Sequence, residues 1–120
     1  MKYTEEEKRE FAAAQELSRL NDLPGTIAAL KALVTKRPES ALFCATYANA
    51  LKESGDLDGA LEYFRRAVAI APRNETYSLG LFHCLWRQGR RDEALEETKR
   101  FMALADSAEY MEIVREINKN

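Results

Sequence analysis

Apolar positions in the middle of the chain recur at helical intervals in two adjoining runs. Cys44, Tyr47, Ala48 and Leu51 form the first stripe, and Leu57, Ala60, Leu61, Phe64, Ala67 and Val68 form the second. Spacings of 3, 4 and 7 put one apolar stripe on each of two helices. Gly55 and Asp56 separate the runs and supply a tight turn. Extended along the chain, the pattern predicts helices over 5–20, 24–36, 40–54, 57–70, 74–88 and 91–104. Pro24 suits a first helical turn, where its missing N–H has no partner to lose, and Pro38 and Pro72 fall just past helix ends.

The chain also aligns with itself when shifted by 34 residues. Asn21, Gly55 and Gly89 come into register, as do Leu17, Leu51 and Leu85, and Ile27, Leu61 and Leu95. The small residues Thr26, Ala60 and Ala94 follow, and so do Pro38 and Pro72, with Asp106 in the third place. The middle copy carries Cys44, Tyr47, Ala48 and Leu51, then Ala60, Phe64, Ala67 and Pro72. In this it resembles the tetratricopeptide repeat, whose pattern runs W-x2-L-G-x2-Y, then A-x3-F, then P. The flanking copies depart further from that pattern. In the third, Phe82 and Phe101 stand where the family has small residues, and Thr98 replaces a bulky aromatic. Such exchange of volume between neighbouring sites is tolerated when the total is kept.

The resemblance implies an all-α fold, a right-handed α-solenoid of three antiparallel helix pairs. It reads as one unit over 1–120, with repeats near 7–40, 41–74 and 75–108. A capping helix is expected near 107–119. There Asp106-Ser107-Ala108-Glu109 places an acceptor side chain three residues before a glutamate, and Tyr110, Ile113, Val114 and Ile117 share one face. Such a helix covers the open apolar side of the last repeat, since repeats are stabilised mainly by their neighbours.

Composition narrows the function. Eighteen basic residues against 20 acidic give a net charge of -2 with no basic cluster, so the phosphate-neutralising face of a nucleic-acid binder is missing. No apolar run has the length of a membrane span, and the N-terminal residues lack the apolar stretch of a signal peptide, so a cytoplasmic protein is expected. Cys44 and Cys84 both sit in amphipathic helical patterns and read as reduced, buried thiols. With a single histidine, no nucleophile-base pair and no phosphate-cradling glycine loop, the chain offers no catalytic constellation, metal site or cofactor.

The resemblance further implies that the first helix of each pair lines a concave surface. On those helices the stripe beside the packing stripe reads Lys8, Phe11, Gln15 and Ser18, then Leu42, Ala45, Asn49 and Lys52, then Thr76, Leu79, His83 and Trp86. From it we select Lys8, Phe11, Gln15, Leu42, Asn49, Lys52, Leu79, His83 and Trp86 as candidate groove residues. Their mixture of apolar anchors and hydrogen-bonding groups suits a peptide or protein segment. Several have a plainer reading: Trp86 packed beneath Tyr110 or Met111, Asn49 merely solvated, His83 partly buried and hydrogen-bonded. One subset of the family clamps the acidic C-termini of heat-shock chaperones with basic residues. The corresponding places here fall on Phe11, Gln15, Thr46, Thr76 and Gly80, and none is basic. A doubly anionic terminus would desolvate against neutral groups, so that ligand is rejected.

The expected function is therefore a noncatalytic protein-interaction module: an adaptor, a small chaperone or an inhibitor of one partner. A second reading is a structural or assembly subunit acting through self-association or docking in a larger complex, with Leu79 and Trp86 as interface core.

Overall fold

The computed structural model describes residues 2–119; Met1 and Asn120, the ends of the range read as one unit, lie outside it. Among the described residues seven helices follow one another: α1 (Glu5–Arg19), α2 (Leu23–Lys36), α3 (Ala41–Glu53), α4 (Leu57–Ile70), α5 (Glu75–Arg87), α6 (Arg91–Leu104) and α7 (Ala108–Ile117). Each of the first six lies within two residues of its predicted limits. From α1 to α6 consecutive helices pack on one another, and α3 also touches α5, so the pairs stack in chain order. The result is elongated, 48 × 29 × 20 Å, with a radius of gyration of 15.1 Å, against roughly 13.6 Å for a compact chain of this length. A stack of helix pairs grows in one dimension and accounts for that shape.

Local chemistry fixes where each helix begins. Ser40 and Asn74, which are equivalent in the repeat, accept from the backbone N–H of Phe43 and Tyr77 and start α3 and α5. Thr4 and Glu7 form a reciprocal capping box on α1. In the second helix of the first two pairs, Asp22 accepts from the Gly25 N–H and Asp56 from the Gly59 N–H. A Cβ at Gly25 or Gly59 would lie 2.4 or 2.5 Å from the capping carboxylate, so the aspartate and the glycine belong together. The third pair abandons both. Arg90 stands in place of the aspartate and makes no side-chain cap, and it reaches instead to Glu93, which stands in place of the glycine.

The turns within the pairs repeat the same backbone conformation. Asn21, Gly55 and Gly89 all adopt positive φ, at 61°, 93° and 74°. The two glycines meet this requirement without a Cβ penalty, and asparagine is among the few other residues that tolerate it. Small residues mark the close contacts within pairs: Thr26, Ala60 and Ala94 are all buried.

Helix α7 covers the last pair, but its start differs from the sequence expectation. Ser107, not Asp106, is the cap: its buried Oγ accepts from the Tyr110 N–H at 3.0 Å. The unusual bulk of the third repeat explains how α7 is held. Tyr110, fully buried, packs edge-on against Phe82 at 5.8 Å and against Phe101 at 5.6 Å. The two phenylalanines that depart from the repeat pattern are the surface on which the capping helix rests. Polar ties complete the frame. Arg37 donates to Glu7 and to the Lys2 carbonyl, and Arg100 donates to Glu97 and to the Pro72 carbonyl.

Candidate functional site

Three depressions run in sequence along the face formed by α1, α3, α5 and α7. The first, about 400 Å³, lies where α1 and α2 meet α3 and includes Gln15, Ser18 and Asn49. The second, about 480 Å³, lies between α3 and α5 and is lined by Leu42, Asn49, Lys52, Leu79 and His83. The third, about 290 Å³, separates α5 from α7 and includes His83 and Trp86. Thr46 and Asn49 belong to both the first and the second, and His83 to both the second and the third. The hollows therefore adjoin, with polar residues at both junctions.

Seven of the nine candidate residues line this run. Leu42 is 37% exposed, an apolar side chain presented to solvent near the middle. The Asn49 amide makes only a long contact, 3.4 Å, with the Glu53 carboxylate and so keeps donor and acceptor capacity free. His83 packs edge-on to Phe82 at 5.3 Å while its outer edge meets solvent. Burial of the ring and then the nearby Lys52 charge hold its pKa below the ordinary histidine value, with Glu109 opposing them. A neutral imidazole offers one donor and one acceptor at the junction of two hollows.

Trp86 is half-buried. Its ring lies nearly parallel to that of Phe82, at 5.6 Å and 18°, and the Arg91 guanidinium sits 4.9 Å from its centroid. It packs against the core cluster that includes Tyr110, whose own ring partners are Phe82 and Phe101, while Met111 is 53% exposed. The remaining two candidates lie apart from the three hollows. Lys8 is exposed and pairs with Glu5 at 3.2 Å. Phe11 stacks on Phe43 at 5.5 Å in the packing between the first two pairs.

Other lining residues escape a reading of the first helices alone. Phe64 of α4 reaches the floor of the second hollow because Gly80 of α5 has no side chain to cover it; a Cβ there would stand 2.3 Å from the ring. A glycine inside an apolar helix, opposite an aromatic, is the signal that marks such a place. Helix α7 contributes Glu109, Glu112, Ile113, Glu116 and Ile117 to the third hollow. Ile113 and Ile117 belong to the face of α7 that packs toward the core, and the three glutamates, spaced 3 and 4 apart, run beside it.

Among the described residues no group of three or more His, Cys, Asp or Glu side chains could hold a metal ion, and no helix is long and apolar enough to cross a membrane. Cys44 and Cys84 are buried and unpaired, and desolvation pushes both thiols up from their ordinary pKa.

The family model for the tetratricopeptide repeat matches residues 51–111, about half of the chain, covering the end of α3, the whole of α4, α5 and α6, and the start of α7. The chain belongs to the tetratricopeptide repeat family. No curated protein matches it. Solved structures resemble it at low identity and so share its fold. The Yersinia enterocolitica type III secretion chaperone SycD, in complex with a peptide of the translocator YopD, is 13% identical with a TM-score of 0.80; 96% of this chain and 88% of that one are covered. A chain of the CopN-Scc3 complex is 16% identical with a TM-score of 0.82, covering 96% and 68%. The TPR2B domain of yeast Sti1, in its complex with pHsp70, is 16% identical with a TM-score of 0.75, covering 82% and 78%. Across the similar structures the chain spans from 53% to 88% of the other chain's length.

In tetratricopeptide terms, the first helices α1, α3 and α5 and the capping helix α7 supply most of the lining of the three hollows, and the second helices contribute mainly through the floor. Lys52 and His83 are the basic groups that line the middle hollow.

Proposed function

We propose that the protein is a noncatalytic interaction module that binds an extended or helical segment of another protein along the face of α1, α3, α5 and α7. The observation that carries this reading is the continuity of the three hollows, linked at Asn49 and His83. A run of adjoining depressions suits a chain-like ligand, which can place successive side chains in successive hollows. Leu42, Leu79 and Trp86 offer apolar burial, and Gln15, Asn49 and His83 offer hydrogen bonds to a main chain. The same fold in SycD accompanies a peptide of YopD, and in the Sti1 domain it accompanies pHsp70, which supports the reading by analogy of fold. The ligand itself differs from a doubly anionic chaperone tail, because Thr46, Thr76 and Gly80 provide no cations.

Peptides selected from a displayed random library on the full chain test this directly. Their affinity, read by fluorescence anisotropy, is expected to fall in Leu42→Ser and Asn49→Arg and to stay unchanged in Lys99→Ala on α6. Both groove positions are exposed, so these changes leave the fold intact. Peptides indifferent to Leu42→Ser and Asn49→Arg would overturn the reading.

A further inference from the structure

The hollow between α5 and α7 has a chemistry of its own. Its floor is apolar, built from Phe82, Trp86, Ile113 and Ile117, and its α7 wall carries three carboxylates, Glu109, Glu112 and Glu116. We propose that this slot takes one large apolar side chain of a bound polypeptide segment whose neighbouring residues are lysine or arginine. The inference rests on the reading of this face as a binding groove and assigns the partner chemistry at its capped end.

Size and charge both lead to that occupant. At about 290 Å³ the slot lies at the lower edge of the size range for small-molecule clefts, and it suits a single anchoring side chain. The floor is held rigid from below, since Phe82 stacks on Trp86 and meets Tyr110 edge-on, so an anchor would enter a preformed site. The carboxylates are spaced 3 and 4 residues apart and share one face of α7.

The surrounding cations do not cancel this field at the slot itself. Arg115 pairs with Glu112 and Lys119 with Glu116, but both cations lie outside the lining and both pairs are exposed on both sides. Exposed pairs of this kind are weak, and a ligand cation can replace either one. Glu109 makes no ion pair among the described residues. From α6, Arg91 rests on the Trp86 ring, and from α3, Lys52 acts on His83 at the far margin of the slot. An acidic segment would meet the three carboxylates as like charges, whereas a basic one meets complementary charge around an apolar centre.

Three synthetic peptides without tryptophan test the assignment: a central phenylalanine flanked by lysines, the same peptide with glutamates in place of the lysines, and the lysine peptide with glycine in place of phenylalanine. Trp86 is the single tryptophan and lies in the slot, so its emission reports occupancy. Only the first peptide is expected to shift that emission saturably. Its affinity should weaken about tenfold in the exposed triple variant Glu109→Gln, Glu112→Gln, Glu116→Gln, and should fall as salt is raised. Equal responses to all three peptides, or an unchanged affinity in the triple variant, would overturn the proposal. So would a change of oligomeric state in place of peptide binding, since the occupant would then be a second copy. Library peptides sensitive to Leu42→Ser but indifferent to the triple variant would remove the slot and leave the groove standing. The opposite pattern would remove the groove and leave the slot.

Discussion

The Ser78 hydroxyl lies 2.6 Å from the Tyr110 hydroxyl and donates at 2.6 Å to Glu97, joining α5, α6 and α7 in one buried chain. Because the single serine proton goes to the carboxylate, Tyr110 must donate to Ser78. Burial pushes the tyrosine pKa well above its ordinary value, in keeping with a phenol that stays protonated. Tyr110→Phe keeps the ring between Phe82 and Phe101 but leaves the Ser78 oxygen without a donor. We expect a loss of about 1–3 kcal/mol, the cost of orphaning a buried polar group, read as a lower denaturant midpoint at unchanged slope.

Acid should weaken the first helix pair through Glu7. The Thr4 backbone N–H and then the Arg37 guanidinium hold the Glu7 carboxyl below the usual carboxylate range. Since the folded pKa lies below the unfolded one, the contribution is complete above the unfolded value and is lost as pH falls through the folded value. Melting temperature measured against pH should drop less steeply on the acid side in Glu7→Gln than in the parent chain. Parallel curves would show that the pair contributes nothing. Glu16 and Glu93 are shifted in the same direction, so only the difference between the two proteins isolates Glu7.

The helices were legible because the local evidence repeats at one interval: an apolar stripe on each helix, a turn residue within each pair, and a capping side chain on every helix but α6. Asn21, Gly55 and Gly89 align in the sequence and share positive φ in the fold. The face that could bind was legible only in part. Gln15, Asn49 and His83 follow from helix periodicity, whereas Phe11 has the same periodic place and is drawn into packing by Phe43, a contact between repeats that no spacing encodes. The α7 wall was hidden for a different reason. Its charged residues look like a solvated face until the bulk of Phe82 and Tyr110 is seen to leave a slot beside α5.

The shared turn conformation gives a paired prediction. Gly55→Ala puts a Cβ at φ 93°, where nothing crowds it sterically but the backbone is strained for any L-residue. A loss of about 1–2 kcal/mol is expected. Asn21→Gly relieves the same requirement at φ 61° in the first pair and should leave stability unchanged or slightly raised. Equal losses from both substitutions, measured by urea titration, would contradict the shared role.

Gly80→Ala sets two effects against each other inside α5. Alanine is the better helix former by about 1 kcal/mol, which taken alone predicts stabilisation. Its Cβ, however, would stand 2.3, 2.7 and 2.8 Å from three atoms of the Phe64 ring, and that ring is buried against the core. Overpacking of a fixed aromatic costs about 1–3 kcal/mol, so the clash should win and the variant should melt at lower temperature. Phe64→Leu, which removes the clashing atoms, should recover part of the loss in the double variant, a coupling that two independent sites would not show. The same Cβ would cover the Phe64 ring in the floor of the middle hollow. Peptides that use that hollow should therefore bind Gly80→Ala more weakly even where the protein remains folded.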